Sequence, residues 1–161
     1  MAEPFIRVAV EDDAPRMLEI YAPYVSNTAI SFEITVPTEE EFRGRVRDVL
    51  KMYPWLVCEL DGRIIGYAYA HPYRVREAYL HSVELSIYVD PSYHRMGIGR
   101  RLYNALEEIL ARQNVYMLYV HVANSEHPDR YQNGESLNFH FKSGFRTHRR
   151  WYYLSFRFQP E

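Results

Sequence analysis

The sequence predicts an α/β (α+β) fold built on a mixed, strongly twisted sheet flanked by helices. Asp61-Gly62 separates two apolar, β-prone runs and is a two-residue hairpin signal that pairs them antiparallel. Ser82 to Val89 alternates, with Val83, Leu85, Ile87 and Val89 on one face and Glu84, Ser86 and Tyr88 on the other. That strand leads through a glycine turn into an amphipathic helix and then another strand, a βαβ unit that requires parallel strands and a right-handed crossover.

Taken in order, Phe5, Ile6, Val8 and Val10 read as a first strand. Asp12-Asp13 supplies a cap and Pro15 an early helical position before Met17, Leu18 and Tyr21. Thr38-Glu39-Glu40-Glu41 is a capping box, and Phe42, Val46, Val49 and Leu50 form the face of the helix it opens. Residues 55 to 60 and 63 to 70 are the hairpin strands, and Asp90-Pro91 ends the strand that follows. After Gly97-Ile98-Gly99-Arg100, the stripe Leu102, Ala105, Leu106, Ile109 and Leu110 marks a helix. Tyr116 to Val122 is a strand, and 124 to 133 a polar loop. A short helix then runs to about Ser143 with Gly144 as its left-handed cap, and the remainder is strand-like.

A length of 161 residues suits one compact domain, so residues 1–161 are expected to fold as a single unit. With 47% hydrophobic and 25% charged residues the composition is that of a soluble globular protein. No apolar run approaches the roughly 20 residues of a membrane span, and the first residues lack the apolar core of a secretory signal. A cytoplasmic location is expected. A net charge of −2 gives no general attraction to nucleic acid, and Arg146 to Arg150 reads as alternating positions of a terminal strand. The seven histidines show no zinc-ligand spacing, so no metal is expected. Cys58, the single cysteine, sits in an apolar run and reads as a small buried hydrophobe.

A glycine turn entering a helix aims backbone N–H groups and the positive end of the helix dipole at whatever lies above it, which makes an anion site. Alone, Gly97-x-Gly99 is a weak signal. It lacks the Gly-Lys-Ser/Thr ending of a P-loop and the third glycine of a dinucleotide fingerprint.

With its flanking elements, His94-Arg95-Met96-Gly97-Ile98-Gly99 resembles the acetyl-CoA loop of Gcn5-related N-acetyltransferases, the GNAT superfamily, whose pattern is Gln/Arg-x-x-Gly-x-Gly/Ala; His94 stands where the family carries Gln or Arg. A second stretch, Asn133-x-x-Ser136-x-x-Phe139-His140-x-x-x-Gly144-Phe145, is similar to a later family motif. Residues 66 to 79 and 82 to 89, together with Asn27 to Glu33, resemble the phosphinothricin acetyltransferase branch. The fold so implied has about six to seven strands in one sheet and about four helices.

By the same resemblance, acetyl-CoA is the cosubstrate. The main chain of Arg95, Met96, Gly97, Ile98, Gly99 and Arg100 would hold its pyrophosphate, and Ile87, Tyr88 and Val89 its pantetheine arm. Asn133 or, directly after the preceding strand, Asn124 would contact the coenzyme, and His140 would lie near the departing thiolate. The acceptor would be the α-amine of a small acidic amino acid analogue, held by Arg74, Arg76, Tyr79 and Phe32.

An amine attacks a thioester only as the neutral base, so a proton acceptor is needed. Desolvation strengthens a carboxylate as a base. Glu84, on the polar face of a central strand, is the candidate, with an ordinary salt bridge to Arg74 or Arg76 as the alternative reading. Direct transfer is expected, since no activated cysteine or serine is evident. The rival acceptors are a peptide N-terminus or a polyamine, and the rival class is a silent acyl-CoA sensor. A homodimer is implied by the family alone. Only 16 residues follow Phe145, and the branch's Gly-Arg-Trp-x-Asp ending is missing, so a different rear wall of the acceptor pocket is expected.

Overall fold

The computed structural model describes residues 3–28, 30–122, 134–148 and 153–157. Its elements run β1 (Phe5–Val8), α1 (Ala14–Asn27), α2 (Glu39–Leu50), β2 (Trp55–Leu60), β3 (Arg63–Pro72) and β4 (Ser82–Val89). They continue with α3 (Ile98–Arg112), β5 (Met117–His121), α4 (Glu135–Lys142), β6 (Arg146–His148) and β7 (Tyr153–Arg157). Among the described residues the seven strands form one sheet in the order β1-β2-β3-β4-β5-β7-β6. Every neighbouring pair is antiparallel except β4 and β5, which are parallel and joined through α3 as the βαβ pattern requires.

Local chemistry accounts for the boundaries. Thr38 Oγ1 accepts from the Glu41 N–H at 3.2 Å while Glu41 Oε2 accepts from the Thr38 N–H at 2.7 Å, so both ends of the capping box close before α2. Asp61 (φ 50°) and Gly62 (φ 74°) both adopt the positive φ of a type I′ hairpin turn.

The first strand is shorter than its hydrophobic pattern predicts. It ends at Val8, and Phe5, Val8 and Val10 are each more than half exposed, because β1 is a sheet edge. Beyond it the Val10 N–H donates to Asp13 Oδ2 at 2.8 Å instead of to a strand. Asp13 does precede α1, but its carboxylate binds Arg7 at 2.7 and 2.8 Å rather than capping the helix.

Each face of the sheet carries its own apolar cluster. Leu56, Ile65, Val83 and Leu85 pack against Ile98, Leu102, Leu106 and Leu110 of α3. On the opposite face Trp55, Val57 and Tyr67 pack against Met17, Ile20 and Tyr21 of α1 and Phe42 and Val46 of α2. Each such buried aliphatic side chain stabilises the fold by about 1.5–3 kcal/mol relative to exposure. Two-sided burial leaves the middle strands little tolerance for a slip of register. Cys58 is fully buried, as its apolar run predicts.

Candidate active site where two strands part

The β4–β5 ladder is short. Its register is Ser82↔Met117, Val83↔Leu118 and Glu84↔Tyr119, and among the described residues it stops there. β4 runs on to Val89, paired on its other side with β3, while β5 continues to His121, paired with β7. Past Glu84 the two strands diverge, and a groove of about 940 Å³ opens beside Ile87, Tyr88 and Val89. Its far wall includes Val122 of the β5 side and Leu137 and Phe139 of α4, and its floor is the start of α3.

The glycine turn shapes that floor by two different means. Gly97 precedes α3 with φ 76°, a left-handed conformation that a Cβ strains. Gly99 instead serves close packing: a Cβ there would lie 3.0 Å from Phe139 Cζ. The first helical bond is Arg101 N–H to Gly97 O at 3.1 Å, so the N–H groups of Ile98, Gly99 and Arg100 have no partner within the helix. All three residues line the groove, as do Arg95 and Lys142. Orphan N–H groups, a helix N-terminus and three cationic side chains at one end of an apolar cleft suit a phosphorylated ligand with a thin apolar arm.

Side chains from within and outside the glycine-loop motif fix this geometry. Tyr24 of α1 donates its hydroxyl to Val89 O at 2.6 Å, and burial pushes its phenol up to about 12, so it remains a donor at neutral pH. His94 turns inward, its Nε2 3.1 Å from both Val89 O and Tyr24 Oη. Asp90 accepts from the Ser92 N–H at 3.0 Å and from Arg16 at 2.5 Å. Burial acts to raise the Asp90 pKa, but these donors outweigh it and hold the carboxyl below its ordinary value. Arg95 reaches across to Glu135 at the start of α4, 2.7 Å away. Met96 is about half exposed and is not among the lining residues.

Glu84 sits at the apex of the parting, on the sheet face opposite α3, with its side chain 19% exposed. Its carboxylate meets two histidines. His121, from β5, is hydrogen-bonded through Nδ1 to Oε1, and His71, its register partner on β3, holds Nε2 3.9 Å from Oε2. Sequence reading missed both, although alternation along β3 and β5 places them on the Glu84 face.

Beside this group Tyr119 stacks on Tyr73 with ring centroids 3.9 Å apart. The Arg74 guanidinium lies 5.1 Å from the Tyr73 ring and 5.6 Å from that of Tyr79. Arg74 and Tyr79 thus join one aromatic corner next to Glu84. Arg76 stands exposed at the start of the following 3-10 turn, its carbonyl accepting from the Tyr79 N–H at 2.9 Å. Phe32 is 79% exposed on the loop between α1 and α2. That loop is anchored by Glu33, which accepts from Tyr21 at 2.6 Å and from Arg45 at 2.5 Å.

His140 does not reach the groove wall. It is 4% exposed; its Nδ1–H donates to Ser136 O at 2.7 Å, and its Nε2 accepts from Tyr103 Oη, 2.8 Å away. Burial pulls its pKa down to about 4, against a weaker opposing effect of the Ser136 carbonyl. The ring is therefore a neutral core group with both nitrogens occupied. Asn133 and Asn124 lie outside the described residues. Among those described, no group of three or more His, Cys, Asp or Glu is disposed to hold a metal ion, and no helix is long and apolar enough to cross a membrane.

Residues 6–159 match the acetyltransferase (GNAT) domain family. The chain is 43% identical over 98 residues to a phosphinothricin N-acetyltransferase of Alcaligenes faecalis, a match that covers 60% of this chain and only 50% of that protein's length. It is 33% identical over 159 residues to the phosphinothricin N-acetyltransferase of Streptomyces coelicolor, covering 90% of this chain and 83% of that one. In three dimensions it is similar to a phosphinothricin acetyltransferase of Sinorhizobium meliloti solved with acetyl-CoA. The TM-score is 0.82 and the identity 29%, over 96% of this chain and 88% of that one. With this match over nearly its whole length and the strand-parting architecture to go with it, the chain belongs to the GNAT acetyltransferase family, on the side of the phosphinothricin N-acetyltransferases.

Proposed function

We propose that residues 1–161 form one N-acetyltransferase domain that moves an acetyl group from acetyl-CoA to the α-amine of a small acidic amino acid analogue of the phosphinothricin or methionine sulfoximine type. The observation that carries this reading is the place of Glu84: a largely buried carboxylate on the last rung of the β4–β5 ladder, three residues before Ile87, where the lining of a groove floored by the start of α3 begins. A cytoplasmic, homodimeric enzyme is the form in which we expect it to act.

The residues present fit acetyl-CoA, which supplies the acetyl thioester. Ile98, Gly99 and Arg100 would offer backbone N–H groups to its pyrophosphate, with Arg95 and Lys142 as nearby cations. The open side of Ile87, Tyr88 and Val89 would take the amide arm as a strand takes a neighbour. An acidic acceptor would face the Arg74 guanidinium, whose place among tyrosines disfavours a polycation.

Glu84 then takes one proton from the acceptor's ammonium. The freed lone pair forms the N–C bond as the C–S bond breaks, and the second proton lost from nitrogen ends on the sulfur. His140 has no role in that transfer in our reading, because both of its nitrogens are engaged in the core.

The test is thiol release from acetyl-CoA with phosphinothricin, methionine sulfoximine, methionine sulfone, common amino acids, spermidine and a short peptide. We expect turnover with the first three, and a loss of about 10²–10⁴ in kcat for Glu84→Gln with acetyl-CoA binding unchanged. Turnover confined to spermidine or the peptide would sink the acceptor class. An undiminished Glu84→Gln enzyme would sink the base.

A further inference from the structure

We propose that His121 is a positioning residue that aims the Glu84 carboxylate, holding Oε1 so that Oε2 is the oxygen that takes the acceptor's proton. The proposal rests on the reading of Glu84 as the base. A glutamate has three rotatable side-chain bonds, and a base must keep one oxygen within roughly 2.6–3.2 Å of the proton it removes. Glu84 stands where the ladder ends, so the next rung of β5 cannot brace it in the ordinary way.

His121 supplies that brace. It lies two residues beyond Tyr119, the register partner of Glu84, and alternation puts its ring on the same face. From there it reaches back across the parting to donate Nδ1–H to Oε1. Its backbone is itself held by β7, through the pair His121↔Tyr153.

The second oxygen is left differently. His71 donates Nδ1–H to Pro72 O at 3.2 Å and turns Nε2 toward Oε2. At 3.9 Å the two atoms are beyond hydrogen-bond reach. Oε2 is thus the oxygen open to a substrate proton. Among the described residues, the other titratable groups on this face include Tyr69 of β3, whose hydroxyl is engaged with Ser86 and which lies near Arg45 and Glu33, Tyr119 of β5, and, farther along, Tyr67 and Tyr88.

Two variants separate positioning from simple packing. His121→Phe keeps a flat ring and loses the donor; His121→Asn loses the ring and keeps an N–H near the position of Nδ1. We expect kcat of the Phe variant to fall about tenfold or more, with KM for acetyl-CoA little changed, and the Asn variant to recover most of that loss. In a Glu84→Gln background, His121→Phe should cost nothing further. Acetyl-CoA titration and thermal melting of each variant show that it is folded. Wild-type kcat in His121→Phe, or equal losses in folded Phe and Asn variants, would overturn the proposal while leaving Glu84 as the base. Full activity of Glu84→Gln would overturn both.

Discussion

Phe139 of α4 lies so close to Gly99 of α3 that a Cβ built on the glycine would meet its ring at 3.0 and 3.1 Å, and Ile87 Cδ1 at 3.4 Å. The contact joins the helix start, the groove wall and β4 at one point. Gly99→Ala therefore forces the ring outward. Overpacking of this kind costs about 1–3 kcal/mol, and the displaced Phe139 narrows the groove. A lower urea midpoint together with weaker acetyl-CoA binding in a calorimetric titration is the expected result. Unchanged values of both would show that the ring gives way freely.

Tyr24→Phe removes the hydroxyl that Val89 O accepts and that lies 3.1 Å from His94 Nε2, and nothing else. A neutral hydrogen bond of this kind contributes about 0.5–1.5 kcal/mol. Since Val89 and His94 both line the groove, part of that loss should surface as an acetyl-CoA Kd raised by about fivefold, read by the same titration. A stability loss with an unaltered Kd would make Tyr24 a brace of the fold alone.

His140 gives a pH dependence whose sign follows from linkage. Its folded-state pKa of about 4 lies below the ordinary histidine value of 6.5, so between these values the unfolded chain binds a proton that the folded one refuses. Stability is whole above 6.5 and is lost as pH falls toward 4, by about 3 kcal/mol in all. Urea midpoints at pH 7 and pH 5 should differ, and His140→Leu should shrink the difference even if it lowers both values. A variant as steep as the wild type would place the effect elsewhere.

Much of the scaffold was legible because its signals are local. Asp61-Gly62 must turn, Thr38 and Glu41 must cap, and Gly144, with φ 94°, must end α4. Alternation put Glu84 on the polar face of its strand, where it ends the β4–β5 ladder, and the residues Gly97 to Arg100 singled out by the resemblance line the groove.

The rest depends on register between distant segments. Nothing within residues 66 to 89 says that His71 stands opposite Glu84 and not a neighbour of it, and only the parallel pairing with β5 brings His121 within reach. Tyr103 likewise meets His140 across 37 positions, which turned an expected groove residue into a core one. The insertion of β7 between β5 and β6 was invisible for the same reason.

The short β4–β5 ladder has a mechanical side. Among the described residues, the β1–β4 part of the sheet pairs with the part formed by β5, β7 and β6 along a ladder of three residue pairs. A short seam therefore runs beside the groove. A ligand lying along β4 and against α4 would act as a rivet across that seam, and slowed amide exchange at Val83 and Leu118 would register its arrival far from any atom it touches.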